Sequence, residues 1–356
     1  MHMADALLSP TVGTTFWAGS LGVIAYCAKK LKENIHEKII PLMGVLGAFI
    51  FAAQMINFTI PATGSSGHIG GGMILAILLG PYAAFIVIAS VLTIQCLFFA
   101  DGGLLALGCN IWNMGLYPCF IAYPLIYKPI VKGGISTRKL TIASIFCVVV
   151  ALQLGAFSVV IQTMLSGRSE LPLGLFTLAM LPIHLAIGLA EGFITAGVVN
   201  YVRKERPELL ESVEESRIFA GFSINGAPLH SATIKRIVAV FAIMAVVTGG
   251  LLSWFASTHP DGLEWSIEKI YGDTALPESG KGILAKLKDI QEKITILPDY
   301  NFPSGKDGKP AGAEDTWPAI NAGTSLAGII GSMIVLGVII VLGFGIKAIK
   351  NLKFKN

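Results

Sequence analysis

Residues 69–100 read IGGGMILAILLGPYAAFIVIASVLTIQCLFFA. No charged side chain interrupts the run, and Gly80-Pro81 stands near its middle. A helix needs about 20 apolar residues to cross a bilayer. The stretch is therefore one long kinked helix or two shorter crossings, and the choice decides which side of a membrane every later segment faces. Other apolar runs lie on either side of it, so the candidate spans are 12–28, 40–60, 69–79, 81–100, 104–127, 140–165, 173–202, 235–256 and 325–346. The cations fall between them. Lys29, Lys30 and Lys32 follow the first run, and Lys128, Lys132, Arg138 and Lys139 follow the fifth. Arg203, Lys204, Arg206 and Arg217 follow the seventh, and Lys347, Lys350, Lys353 and Lys355 form the tail. Lysine and arginine concentrate in cytoplasmic loops. All of these groups share one side only if 69–100 crosses twice. The expected fold is thus all-α, a polytopic helical membrane protein of about nine membrane helices, N-terminus outside and C-terminus cytoplasmic. The first helix of the 69–100 pair is short and glycine-rich, so protein must shield it from lipid.

Composition agrees. The chain of 356 residues is 54% hydrophobic and 13% charged, with a mean hydropathy of +0.71, whereas globular chains carry about 25% charged residues. The net charge of +4 sits in short loops between apolar runs, so the partner surface is a lipid bilayer and not nucleic acid. Cys27, Cys96, Cys109, Cys119 and Cys147 form no CxxC pair and read as small apolar packing residues. Residues 1–11 lack a basic n-region, so no cleavable signal peptide is predicted. A polar, glutamate-rich stretch at 204–234 is the expected cytoplasmic linker between an N-terminal unit, 1–203, and a C-terminal one, 235–356. Within the latter, 257–324 is the expected external segment, with helix within 278–296. It carries eleven acidic against seven basic residues. That excess either draws cations to this face or marks an ordinary solvated loop.

The chain begins Met1-His2-Met3. A free α-amino nitrogen, the amide nitrogen of His2 and its Nδ1 can close fused five- and six-membered chelate rings around one ion. Three coplanar nitrogens favour the square-planar geometry of Ni(II) and Cu(II), and the metal-bound amide must lose its proton. On the expected topology the loop Thr63-Gly64-Ser65-Ser66-Gly67-His68-Ile69-Gly70-Gly71-Gly72 shares the outer face with Met1 and His2. His68 there can supply a fourth nitrogen, or it is a loop or capping histidine.

Other polar groups lie in or beside the spans. Asp101 begins the run holding Asn110 and Asn113, which share a helix face. The asparagines either support ligand residues from behind or join helices, and Asp101 supports the site or caps a helix. His184, Glu191 and Thr195 form a polar stripe on the seventh run: a charge-paired structural element, a proton-linked gate or a metal transit site. Gly44, Ala48 and Ala52 recur at spacing four, a partner-docking stripe or an internal seam.

Four stretches in this order resemble the CbiM/NikM family: Met-His-Met-Ala-Asp at the start, 65–72, 101–115 and 184–195. The segment 235–350, with Pro260-Asp261-Gly262-Leu263-Glu264, is similar to the PDGLE-type domain and to the two-span NikN/CbiN subunit. Such proteins are substrate-capture components of energy-coupling-factor transporters. The resemblance therefore implies import of Ni2+ or Co2+ across the cell membrane, with no catalytic cofactor. It implies a CbiQ/NikQ-like membrane coupling subunit and separate CbiO/NikO-like ATPase subunits as partners; the chain itself has no GxxxxGK[ST] loop and is expected not to be an enzyme. It also implies Met1, His2 and His68 as the ligands, with Ser66 nearby. Met3, Ala6, Ala100 and Cys109 stand where relatives commonly carry Ile, Gly, Gly and Ala. Two other readings remain open: an intramembrane serine protease with a Ser66/His184 dyad, built on Gly64-Ser65-Ser66-Gly67, and a passive metal channel.

Overall fold

In the computed structural model the described residues are 2–34, 39–205, 210, 231–277, 282–303 and 318–353. Met1, most of the 204–234 linker with Arg206 and Arg217, and Lys355 lie outside them. Helices form at each expected span: α1 (Pro10–Asn34), α2 (Ile40–Gln54), α3 (Gly72–Leu79), α4 (Pro81–Phe99) and α5 (Leu107–Ile111). The last runs on as a π-helical stretch, Trp112–Tyr127, into α6 (Lys128–Val131). Pro118 and Pro124 lie within that stretch, where missing amides disfavour regular α-helix. Then follow α7 (Thr137–Leu165), α8 (Leu173–Glu205), α9 (Ser231–Gly250), α10 (Gly262–Tyr271), α11 (Ile283–Ile294) and α12 (Ala322–Lys353). The architecture is helical and membrane-spanning. Among the described residues, α4, α7, α8 and α12 have the length and apolarity of a crossing.

The 69–100 stretch breaks where its sequence says it must. Gly80 has φ of +76°, a left-handed conformation that costs glycine little, and Pro81 opens α4. However, α3 has only eight residues, about 12 Å of helix against a hydrocarbon core of about 30 Å. It does not cross alone. It is buried throughout and packs against α4 and the π-helical stretch, so protein covers it.

Two features add to the expected layout. The second span stops at Gln54, and a short antiparallel hairpin follows, β1 (Phe58–Ile60) with β2 (Ser65–Gly67), pairing Thr59 with Ser66. The 257–324 segment is not merely a solvated loop. It folds α10 and α11 back onto the end of the bundle where the chain begins. There the Ser257 amide donates to the Asn57 carbonyl (2.7 Å) and the Ile296 amide to the Phe98 carbonyl (2.9 Å). α9 and α12 pack on α2 and on each other. A Cβ on Gly44 would come within 2.8 Å of Leu336, and the Ser332 hydroxyl donates to the Ala48 carbonyl. Ala52 is fully buried too. α12 therefore lies over Gly44 and Ala48 of the small-residue stripe. All five cysteines are buried and free.

Candidate metal centre

The segment from His2 to Ser9 tucks into the bundle before α1 starts. Met3 is fully buried. Its amide donates to Asn110 Oδ1 (2.8 Å), and its carbonyl accepts from Asn110 Nδ2 (3.3 Å) and from the Gly103 amide (3.0 Å). Asn110 thus clamps the backbone next to His2, a support from behind. Asn113 exchanges two hydrogen bonds with Gln162 on α7 (2.8 and 2.9 Å) and touches the Met3 sulfur, so it also joins helices. Asp5 Oδ1 accepts from the Ala106 amide (2.9 Å). Ala6 is the centre of a 3-10 turn, Asp5–Leu7, which forms without a glycine.

This threading brings His2 to His68. Their rings stack with centroids 5.1 Å apart at 24°. The two lie far apart in the chain, and only the fold unites them. His68 Nδ1 lies 3.0 Å from the Ile69 carbonyl. An N–H there donates to that oxygen, which leaves the Nε2 lone pair to bind an ion. His2 Nε2 lies 3.2 Å from Gln95 Oε1, and its Nδ1 lies 3.3 Å from Asp101 Oδ1. Burial pushes both imidazoles down to about 3, so both are neutral at pH 7, the form that binds metal. Among the described residues no three His, Cys, Asp or Glu side chains gather into a metal cluster.

Asp101 does not cap a helix. The residue ending α4 is Ala100, with φ of +57°, and the one preceding α5 is Ala106. Asp101 instead bridges His2 to the Tyr300 hydroxyl, which donates to its Oδ2 at 2.5 Å. Burial raises its carboxyl above the usual range. Ala100 takes the left-handed conformation that glycine adopts more readily.

Glu191 and His184 do not pair with each other. Both oxygens of Glu191 accept main-chain hydrogen bonds, from the Gly70 and Gly71 amides at 2.8 Å each. The carboxyl thus sits at the N-terminus of α3, where amides converge, and ties the His68 loop to α8. His184 Nδ1 lies 2.8 Å from the Met180 carbonyl one turn back. Thr195 is fully buried on the same helix. The Ser66 hydroxyl donates to the His259 carbonyl (2.7 Å) and is also within reach of the Pro260 carbonyl (3.2 Å). A Ser66/His184 dyad requires that hydroxyl on the imidazole, and its hydrogen bonds to the 259–260 backbone take that place.

Two openings adjoin the histidines. A cavity of about 590 Å³ is lined by His2, by the carboxylates of Asp5, Asp101, Glu264, Asp289, Glu292 and Asp299, and by Lys288. A second, of about 20 Å³, is lined by His68, His184, Asp261 and neighbouring glycines, room for one water-sized guest.

Comparison with known proteins follows the same residues. A family model described as the cobalt uptake substrate-specific transmembrane region, CbiM, matches residues 2–209. The chain belongs to the CbiM family. A PDGLE domain matches residues 235–348. Among CbiM relatives, a putative fused nickel transport protein NikMN of Archaeoglobus fulgidus is 33% identical over 346 residues, 97% of this chain and 98% of that one. The cobalt transport protein CbiM of Sorangium cellulosum is 30% identical over 239 residues, 63% of this chain and all of the other. A crystal structure of a transition metal transporter superposes with a TM-score of 0.52 at 31% identity, covering 59% of this chain and 97% of that one.

Sequence reasoning did not single out Gln95, Tyr300 or Asp261 as site residues. Gln95 carried a signal, being a lone amide in an otherwise apolar run. Asp261 stood in a noticed motif, but nothing local says which end of the bundle that motif folds onto.

Proposed function

We propose that this chain is the substrate-capture component of an ATP-driven, energy-coupling-factor-type importer of Ni2+ or Co2+ in the plasma membrane. The ion is the cargo, taken from outside by nitrogens of Met1, His2 and His68 and released inward. Residues 1–203 form the capture unit, 204–234 a cytoplasmic linker and 235–356 an attached unit. ATP hydrolysis belongs to separate CbiO/NikO-like subunits acting through a CbiQ/NikQ-like membrane subunit, and this chain is not itself an enzyme. The observation that carries the reading is the stacking of His2 on His68 at 5.1 Å. Two buried neutral imidazoles, one adjoining the chain start, suit a nitrogen-rich site for a late first-row ion.

The test is titration of the purified full chain with NiCl2 and CoCl2, beside His68→Ala. Loss of high-affinity binding in the variant supports the reading; unchanged stoichiometry and affinity refute it. A passive channel predicts uptake that persists without any ATPase partner, and a capture component predicts none.

A further inference from the structure

The cavity beside His68 has a wall that the N-terminal half does not supply. Ser66 forms an isolated parallel bridge with Asp261, its amide donating to the Pro260 carbonyl at 2.8 Å. The 259–261 backbone therefore lies against β2, next to the residue that follows it, His68, before α10 begins at Gly262. Gly262 closes the approach. A Cβ there would lie 2.9 Å from the Ile187 end methyl and 3.0 Å from the His184 ring, so a larger residue makes these side chains give way. Asp261 is fixed as well as near. Its Oδ1 accepts from the Leu263 and Glu264 amides (2.8 and 2.9 Å), and its own amide donates to the Glu264 carboxylate (3.0 Å), a complete capping box. An aspartate so held is an anion with a set direction.

We propose that Asp261, delivered by the C-terminal half, is the counter-charge of the metal-capture site. The inference rests on the nitrogen-site reading above. A divalent ion bound by one deprotonated amide and otherwise neutral nitrogens leaves one net positive charge. In a buried site that charge is costly unless an anion stands beside it. Asp101 stands beside His2, and its Oδ2 is taken by the Tyr300 hydroxyl. Asp261 lines the small cavity with His68 and accepts two main-chain amides there. The C-terminal half thus acts on binding itself, in addition to any role in assembly.

Charge and capping make opposite predictions for two substitutions. Asparagine caps a helix as well as aspartate, and glutamate does not; glutamate keeps the charge, and asparagine does not. The experiment titrates the full chain, with its native first residue, with NiCl2 by calorimetry, for wild type, Asp261→Asn, Asp261→Glu and His68→Ala. Apo thermal unfolding of each variant is measured alongside. The counter-charge role predicts at least tenfold weaker binding for Asp261→Asn, with an apo unfolding temperature near wild type, and binding within threefold of wild type for Asp261→Glu. Asp261→Asn binding like wild type overturns the proposal, as does an equal loss in both Asp261 variants. His68→Ala separates the two ideas. If it binds normally, the nitrogen-site reading fails; if it loses binding while Asp261→Asn does not, only the counter-charge fails.

Discussion

Glu191→Gln keeps the shape of a buried side chain and removes one acceptor. The carboxyl now receives the Gly70 and Gly71 amides at 2.8 Å each. A hydrogen bond to a charged group is worth about 1.5–3 kcal/mol against about 0.5–1.5 for a neutral one. Glutamine keeps one oxygen for one amide and turns its NH2 toward the other, so one bond weakens and one buried amide loses its acceptor. The two effects together amount to about 3 kcal/mol against the present loop conformation. That loop carries His68, and about 1.4 kcal/mol is a factor of ten in affinity. Complete coupling would weaken Ni2+ binding about a hundredfold, and partial coupling about tenfold, the range usual for residues that orient metal ligands. Calorimetric titration of the full chain reads the dissociation constant directly, with apo unfolding temperature as the second measurement. A dissociation constant within twofold of wild type would refute the claim that Glu191 sets the position of His68.

Gly262→Ala places a methyl group against Ile187 and the His184 ring. It should destabilise the seat of α10 by about 1–3 kcal/mol, visible as a lower unfolding temperature; an unchanged melt contradicts the close packing. A fluorophosphonate probe should leave Ser66 unlabelled, because its hydroxyl serves the His259 carbonyl; labelling that His184→Ala abolishes would revive the protease reading. Acid should destabilise the metal-free protein. His2 and His68 are held near 3 by burial, down from 6.5, so below about pH 6.5 the unfolded chain takes up protons that the folded chain refuses. Stability is intact above 6.5 and falls by about 1.4 kcal/mol per histidine for each pH unit below it, down toward 3. Unfolding temperatures that stay level from pH 7.5 to 5.5 would contradict the burial of these rings.

Local pattern carried most of the helical layout. Apolar runs bounded by lysines place nearly every long helix, and Gly80-Pro81 marks the break between α3 and α4. Histidines in unusual settings, His2 at the chain start and His68 among glycines, singled themselves out by chemistry. What stayed hidden is tertiary. That Glu191 holds the His68 loop, and not His184, depends on how α8 is rotated against α3. That Asp101 reaches Tyr300, and Ser66 the 259–260 backbone, depends on where 257–303 folds. No periodicity encodes which end of a bundle a polar segment will cover. The short, protein-covered α3 was legible in its glycines and in Gly80-Pro81; only its start at Gly72, three residues into the expected 69–79, was not.

The central claim is that the ion is gripped at the start of the chain and by His68 together. The most direct measurement compares Ni2+ and Co2+ affinity of the full chain bearing an unmodified Met1 with the same chain extended by a few residues ahead of it. The extension turns the terminal amine into an amide and leaves the His2 and His68 side chains in place. The account predicts loss of high-affinity binding in the extended form. Equal affinity in both would contradict it.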